Sequence, residues 1–274
     1  YEILIGLVGS EMCIRDRVIG THALIQEDVD FKNLGLVITD EQHRFGVEQR
    51  SKLINKGRRP DVMVMTATPI PRTLALYVYS DLDISAIDQL PPGRKPVDTR
   101  FFNESERFSA YDLALEEIDK GRQVYIVCPL IEEDEDMKLN SVEKLYNELS
   151  DGAFKGIPIE ILHGKMKPKE KNAIMEAFSK GETKILVSTT VVEVGVNVPN
   201  STIILIENAE RFGLAQLHQL RGRVGRGKHQ SYCILVSDSK NKVTKKRLKI
   251  MEDSTDGFVI AETDLKLRGP VSYT

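Results

Sequence analysis

The sequence has 274 residues, of which 41% are hydrophobic, and its 38 basic and 41 acidic side chains give a formal net charge of −3. This length and composition predict a globular protein of two ordinary domains and exclude a chain that attracts polyanions through its overall charge. No apolar run approaches the roughly 18 residues of a membrane-spanning helix, so we expect a cytoplasmic protein with no membrane partner. Cys128 and Cys233 lie within apolar runs, which predicts small core residues in a reducing compartment.

The two ends of the chain differ from the rest. The segment 9–17 resembles translated sequencing-adapter sequence, and so does 271–274. We therefore interpret 1–17 and 271–274 as non-native and 18–270 as the informative part of an internal fragment.

From residue 34 onward, short apolar runs alternate with longer amphipathic ones. This pattern predicts the α/β class, with parallel sheets covered by helices. The predicted buried strands are 34–38, 62–65, 124–127, 159–162, 184–187, 202–206 and 232–236. Helices are predicted over 70–79 and 168–180, the second with Pro168 in its first turn and Gly181 as its stop.

Three prolines and a glycine in 90–97 exclude a helix there and indicate an interdomain linker. The first domain would then occupy 18–89 and the second 98–237. The basic stretch that follows, with its apolar positions, predicts two short helices packed as a hairpin over 238–270.

Two carboxylates, Asp40 and Glu41, follow the first predicted strand. At the carboxyl end of a parallel strand, an aspartate can hold Mg²⁺ and a glutamate can orient an attacking water. A polar loop without such a role is the alternative. The next strand leads into Thr66 and Thr68, whose hydroxyls could bond to the acidic loop, although Thr68 could equally cap the following helix.

Two further segments carry groups suited to phosphates. Hydroxyls at 188–190, followed by Gly195, could grip a sugar-phosphate backbone or a ribose. Three arginines among glycines, Arg221, Arg223 and Arg226, predict a polyanion site, with a solvated basic turn as the alternative.

Taken in order, these segments resemble the successive motifs of superfamily 2 helicases and translocases. The matching runs are 20–23, 40–43, 66–69, 162–164, 188–190 with Gly195, and 219–226. Within that superfamily, 40–50, 66–74, 128–133 and 211–219 resemble the RecG family of branched-DNA helicases. The Mfd family, which couples transcription to repair, shares 66–73 and the hairpin and stays open as an alternative.

The resemblance implies two RecA-like domains that use ATP and Mg²⁺ to move on branched or double-stranded DNA, with single-stranded-DNA-binding protein as a further partner. It also implies a bacterial, nucleoid-associated location. The catalytic residues would be Asp40, which also binds the metal, Glu41, and the arginine fingers Arg223 and Arg226, while Arg221 would be structural.

The resemblance assigns the other motif residues by group. The nucleotide-binding residues would be Gln219, Gly195, Thr66 and Thr68. The nucleic-acid track would consist of Gly20, Thr21, His22, His163, Gly164, Ser188, Thr189 and Thr190. His43 and Arg268 would couple ATP hydrolysis to movement along DNA.

The sequence departs from the family pattern in two respects. It contains no Gly-x-x-x-x-Gly-Lys-[Ser/Thr] phosphate-binding loop, and Asn197 stands where many relatives carry Asp. We therefore expect no ATPase activity from the 274-residue chain by itself. A non-catalytic nucleic-acid-binding module is a further alternative, which the presence of Asp40, Glu41, Arg223 and Arg226 disfavours.

Overall fold

The computed structural model describes residues 17–41, 45–67, 83–87, 89, 91–129, 135–189 and 198–268. The chain divides into two compact units, 1–68 and 69–274, and each is described by itself. The predicted linker 90–97 falls inside the second unit. The predicted domain boundaries therefore stay predictions.

The first unit contains a two-stranded parallel sheet. Strands β1 (Leu36–Asp40) and β2 (Asp61–Met65) pair in a register that sets Asp40 opposite Met65, and helix α1 (Val47–Ile54) lies between them in the chain. Residues of β1 alternate between exposed and buried, as expected when successive side chains point to opposite faces. A 3₁₀ turn at His22–Ile25 precedes the sheet and contacts α1.

The second unit is built on a six-stranded, fully parallel sheet, which confirms the predicted α/β class. Its order is β3-β8-β7-β4-β6-β5. The strands are β3 (Asp98–Phe102), β4 (Gln123–Val127), β5 (Ile159–Leu162), β6 (Ile185–Ser188), β7 (Ser201–Ile206) and β8 (Tyr232–Val236). Every residue of β4, β6 and β7 is buried, which explains why these strands are nearly continuous apolar runs.

Helices cover both faces of this sheet. They are α2 (Arg107–Asp119), α3 (Glu135–Asp151), α4 (Pro168–Lys180), α5 (Leu214–Arg221), α6 (Lys242–Asp253) and α7 (Gly257–Arg268). Side chains of α2 and α3 pack in one core cluster around Phe154, whereas α4 to α7 pack in the other, around Phe178 and Met251. The core therefore consists of two layers, one on each side of the strands.

The predicted helix 168–180 is confirmed. Pro168 occupies its first turn, and Gly181 ends it with a φ of 79°, a left-handed conformation that favours glycine. The two-helix prediction after residue 238 is also confirmed, because α6 and α7 pack against each other and against α5. Asn241 caps α6 by accepting a 2.8 Å hydrogen bond from the Val243 amide.

Strand β3 was absent from the sequence prediction, and β1 ends two residues later than predicted. The first three residues of the edge strand β3, Asp98, Thr99 and Arg100, are polar, so its sequence lacks a continuous apolar run. The exposed Arg100 pairs with Asp98, and its guanidinium carbon lies 5.1 Å from the centre of the Tyr232 ring. The predicted helix 70–79 lies outside the described residues. Cys128 and Cys233 are buried free thiols, as predicted.

Within the described segments, no helix is both long and apolar enough to cross a membrane.

Candidate nucleotide and nucleic-acid sites

The acidic loop, defined as Asp40 and Glu41, lies where β1 ends beside β2. Because Asp40 is opposite Met65, Glu41 faces the residues that follow β2. Its carboxylate accepts hydrogen bonds from the Thr66 hydroxyl at 3.4 Å and from the Ala67 amide at 3.3 Å. The predicted bond between this hydroxyl and the acidic loop is therefore present.

Glu41 has a φ of 48°, in the left-handed region that residues other than glycine seldom adopt. Backbone of this kind concentrates at functional sites, where the surrounding structure holds it. The hydrogen bonds from Thr66 and Ala67 supply part of that support.

Asp40 is exposed at the end of its strand and offers carboxylate oxygens, the ligands that Mg²⁺ prefers. The described residues include no group of three or more His, Cys, Asp and Glu side chains that could enclose a metal ion. A single carboxylate completed by water and phosphate oxygens is a usual setting for Mg²⁺. The donor set at this loop therefore fits magnesium held together with a nucleotide.

In the first unit, Gly20, Thr21 and His22 form an exposed turn before the sheet. The His22 ring stacks on Phe45 with centroids 4.4 Å apart and planes 22° apart. The exposure of this turn is compatible with its predicted contact with nucleic acid, which stays a prediction.

In the second unit, β5 and β6 pair with Leu162 opposite Ser188, which brings 163–164 and 188–189 to the same end of the sheet. Gly164 is exposed, and its carbonyl accepts a 2.7 Å hydrogen bond from the Lys171 ammonium. Ser188 and Thr189 are buried, so their hydroxyls are not presented to solvent in this arrangement.

Two atoms at this strand end are buried without a hydrogen-bond partner, His163 Nδ1 and Ser188 Oγ. Burial also lowers the pKa of His163, which favours a neutral imidazole. Unpaired buried polar atoms are costly and invite a functional explanation. These two atoms support the prediction that this strand end meets a ligand.

The arginine segment, defined as 219–227, starts in the last turns of α5 and ends in a glycine-rich turn. Gln219 is exposed, and Arg223 and Arg226 are partly buried. Gly225 has a φ of 76°, and a Cβ placed on it would lie 2.7 Å from Val97 Cγ2. The turn therefore requires glycine both for its backbone conformation and for its close approach to the 91–97 segment.

Electrostatics in this segment favour an anion. Burial lowers the pKa of the Arg226 guanidinium, and the nearby positive charges of Arg223 and Arg94 lower it further. The Arg226 Nε donates a 3.2 Å hydrogen bond to the Gly222 carbonyl. Arg94 was missed by sequence reasoning, although its place in the proline-rich segment next to Lys95 was a basic signal. Phosphate oxygens are natural partners for clustered guanidinium groups.

Arg221 has a structural position, as the sequence predicted. It is buried, and its guanidinium donates hydrogen bonds to the carbonyls of Met251, Ser254 and Thr255 at 2.9, 2.8 and 3.2 Å. These carbonyls lie at the end of α6 and in the turn to α7. The arginine segment is thereby joined directly to the helical hairpin.

His218 supports the same connection. Its Nδ1 lies 3.1 Å from Arg221 Nη2. Burial, assisted by the charge of Arg221, lowers the pKa of His218 to about 4. The imidazole is therefore neutral near pH 7, and its Nδ1 accepts from the guanidinium.

Sequence reasoning missed a cluster of polar side chains around the buried carboxylate of Glu207. Glu207, directly after β7, accepts hydrogen bonds from Arg107 Nη2 and from the Tyr111 hydroxyl, both at 2.8 Å. Burial, together with the charge of Glu207, raises the pKa of Tyr111. This cluster ties the end of β7 to α2, and the sequence gives no signal for it because its members are about 100 residues apart.

Some predicted site residues lie outside the description. They are His43, Thr68, Thr190, Gly195 and the side chain of Arg268. Asn197, where many relatives carry Asp, is also outside the described residues.

Comparisons with known proteins agree with these motifs. A family model for the helicase conserved C-terminal domain matches residues 107–228, and one for DEAD/DEAH box helicases matches residues 9–76. The ATP-dependent DNA helicase RecG of Synechocystis sp. is 57% identical over 256 residues, which cover 93% of this chain and 31% of the relative. That of Bacillus subtilis is 54% identical over 273 residues, covering 99% and 39%.

Solved structures lead to the same family. A structure of RecG bound to a three-way DNA junction matches with a TM-score of 0.75 and 50% identity, over 92% of this chain and 32% of that one. A structure of Dbp5 from S. cerevisiae, at 15% identity and a TM-score of 0.56, covers 92% of this chain and 62% of its own, and shows the shared helicase fold alone. The chain therefore belongs to the RecG helicase family, and it spans 31% and 39% of the length of the two curated relatives described above.

Proposed function

We propose that this chain is part of an ATP-dependent translocase on branched or double-stranded DNA, which remodels stalled replication forks and recombination junctions during DNA repair. The names of the relatives and the DNA junction in the related structure support this proposal. The observation that carries it is the acidic loop, in which Thr66 and Ala67 hold the carboxylate of Glu41 at the carboxyl end of a parallel sheet.

The acidic loop would perform the proton chemistry of hydrolysis. ATP with Mg²⁺ supplies the phosphoanhydride bond that is cleaved and the cation that neutralises its oxygens. Asp40 would hold the metal through its carboxylate and water. Glu41 would orient the attacking water and accept its proton on a carboxylate oxygen, while Thr66 keeps that carboxylate in place.

The arginine segment would supply positive charge. Arg223 and Arg226 would stabilise the negative charge that develops on the phosphate oxygens, and Gln219 would contact the nucleotide beside them. The repulsion that Arg223 and Arg94 exert on Arg226 supports this role, since a phosphate group would relieve it. Thr66, Thr68 and Gly195 complete the proposed nucleotide contacts.

The remaining predicted residues would serve movement on DNA. The 20–22 turn, His163, Gly164 and 188–190 would contact phosphates rather than bases, because a translocase must pass any sequence. His43 and Arg268 would couple hydrolysis to movement. We place this activity in the bacterial cytoplasm at the nucleoid, with single-stranded-DNA-binding protein as a further partner, on the family resemblance alone.

A graft tests the proposal. Residues 18–270 of this chain replace the corresponding segment of Bacillus subtilis RecG, a relative that is 54% identical to the chain over 273 residues. We expect the graft to hydrolyse ATP when junction DNA is added. Glu41→Gln should reduce turnover by about 100-fold or more, because the water loses its proton acceptor, and Arg226→Gln by a similar factor.

Lys144→Gln is the control, because this exposed lysine on α3 lies outside every proposed site, and it should leave turnover unchanged. A graft that folds and hydrolyses ATP equally well with Glu41→Gln would contradict the proposal. The 274-residue chain by itself should show no more hydrolysis than its own Glu41→Gln variant.

A further inference from the structure

Helix α6 is unusually basic. The ten residues 240–249 contain six cationic side chains and no acidic one, in a chain whose net charge is −3. The six are Lys240, Lys242, Lys245, Lys246, Arg247 and Lys249. Such a concentration calls for an explanation in the structure.

Four of these lysines, 242, 245, 246 and 249, follow the i, i+3, i+4, i+7 spacing that places side chains along one face of a helix. All four are exposed, whereas Leu248 and Met251 on the opposite side are buried in the core. We call residues 242, 245 and 246 the lysine face.

The lysine face is not neutralised. Lys249 forms ion pairs with Glu252 at 3.0 Å and with Asp253 at 3.2 Å. Among the described residues, Lys242, Lys245 and Lys246 form no ion pair. Lys245 and Lys246 also border a shallow cleft of about 370 Å³, which Phe101, Lys249 and Glu252 line as well.

Helix stability does not account for this charge pattern. The first turn of α6 contains no acidic residue and its last turn no basic one, while Lys242 lies at the start and Glu252 and Asp253 lie at the end. Cations near a helix N-terminus and anions near its C-terminus oppose the helix dipole. The lysine face is therefore unfavourable for the isolated helix and is better explained by a negatively charged partner.

Within the second unit, the lysine face and His163 lie at opposite edges of the sheet. Helix α6 packs on β3, and the Glu252 carboxylate accepts a 2.7 Å hydrogen bond from the Phe101 amide of that strand. Strand β3 is one edge of the sheet, and β5, which precedes His163, is the other. Five interstrand steps of about 4.8 Å separate the edges by roughly 24 Å.

The dimensions of the face suit a DNA backbone. Residues 242 to 246 rise about 6 Å along the helix axis, which corresponds to about two phosphate steps of one DNA strand. A membrane surface suits it less, because the apolar side of α6 is buried in the protein and only Val243 is a large exposed apolar residue of this helix.

We propose that the lysine face of α6 is a second nucleic-acid contact, which binds the phosphate backbone of duplex DNA about one sheet width away from the part of the track at His163 and Gly164. This contact does not involve nucleotide hydrolysis. It would hold a duplex by charge alone, without reading its sequence.

Two triple variants of the 274-residue chain test this proposal. Lys242→Gln, Lys245→Gln and Lys246→Gln are combined in one, and Lys144→Gln, Lys155→Gln and Lys180→Gln in the other. The second set removes the same charge from exposed lysines elsewhere on the second unit. The probe is a fluorescein-labelled duplex of mixed sequence, and anisotropy is measured without nucleotide from about 50 to 200 mM salt.

We expect the lysine-face variant to bind at least about 10-fold more weakly near 100 mM salt, and its slope of log affinity against log salt to fall by about 2 to 3. The matched variant should stay close to the unsubstituted chain. Thermal unfolding should show both variants folded, since the lysine face does not stabilise α6.

Equal losses in the two triple variants would overturn the proposal, because they would reflect net charge alone. An unchanged DNA affinity in the lysine-face variant would overturn it too. Vesicles containing phosphatidylserine complete the test: lysine-dependent binding to them, with DNA affinity unchanged, would make an anionic membrane the partner instead.

Discussion

The acidic loop and the arginine segment differ in how many buried side chains hold them in place. Among the described residues 17–67, Val37 is the only buried hydrophobic side chain, and it lies in the strand that leads to the acidic loop. The arginine segment begins in α5, whose Leu214, Leu217 and Leu220 are all buried in the core of the second unit. Arg221 itself is buried and bonded to the hairpin.

This difference indicates how each group is positioned. Glu41 is held by hydrogen bonds from the next strand end and by an uncommon backbone conformation. The arginines are held by a packed core, in which small volume changes are felt. We therefore expect core substitutions to destabilise the second unit strongly and the first unit weakly.

The largest expected effect is a difference in unfolding free energy between the same substitution in the two sheets. Ile204 in β7 is 1% exposed and Ile38 in β1 is 53% exposed, so the same substitution to Ala can be made at both. Ile204→Ala should cost about 3 to 4 kcal/mol of unfolding free energy through lost burial and a cavity, and Ile38→Ala less than about 1 kcal/mol.

Urea unfolding followed by far-ultraviolet circular dichroism provides the measurement, since the chain has no tryptophan. Equal shifts in the unfolding midpoints for the two alanine variants would show that the supports do not differ as described.

A second pair sharpens the comparison within the arginine segment. Arg221→Gln should cost about 2 to 3 kcal/mol, because it leaves the carbonyls of Met251, Ser254 and Thr255 without their donor. Arg223→Gln, two residues away and partly exposed, should change stability by less than about 0.5 kcal/mol.

Hydrogen exchange locates the effect. Arg221→Gln should speed amide exchange in α6 and α7, whereas Arg223→Gln should leave it unchanged. Similar exchange in both variants would mean that Arg221 does not join the segment to the hairpin.

The sequence predicted those parts of the fold that depend on local pattern. Continuous apolar runs identified the buried strands, and Pro168 and Gly181 identified both ends of α4. The edge strand β3 was missed because its first three residues are polar. Motif order located the acidic loop and the arginine segment in the chain.

Contacts between residues far apart in the chain could not be predicted from the sequence. The bond of Arg107 to Glu207 joins residues 100 positions apart, and Arg94 approaches the arginine segment only once the chain is folded. The burial of Ser188 and Thr189 likewise depends on the strands around them. Local patterns carry no information about such packing.

Two glycines with similar backbone conformation allow the cost of backbone strain to be measured apart from the cost of steric crowding next to the arginine segment. Gly225 and Gly93 have φ values of 76° and 83°, but only Gly225 has close neighbours, since a Cβ on Gly93 would meet nothing within 4 Å. Gly93→Ala should cost about 1 kcal/mol from backbone strain, and Gly225→Ala about 2 kcal/mol because Val97 must also move. Thermal unfolding compares the two, and an equal cost would exclude the close approach of 91–97.

The smallest effect concerns pH. The pKa of His218 is about 4 in the folded chain, below its ordinary value of 6.5. Between these values the unfolded chain binds a proton that the folded chain does not, so the stability contributed by neutral His218 is present above pH 6.5 and is lost as the pH falls towards 4. At pH 5 the loss should reach about 1 to 2 kcal/mol after allowing for partial exposure.

His218→Gln isolates this contribution, because glutamine keeps an acceptor for Arg221 but does not titrate. The variant should lose less thermal stability than the unsubstituted chain between pH 7 and pH 5, while other acid-sensitive groups affect both proteins alike. Should the two melting temperatures fall in parallel, His218 would not be held neutral in the folded chain. The arginine segment would then be less firmly enclosed by its core than the contacts of Arg221 indicate.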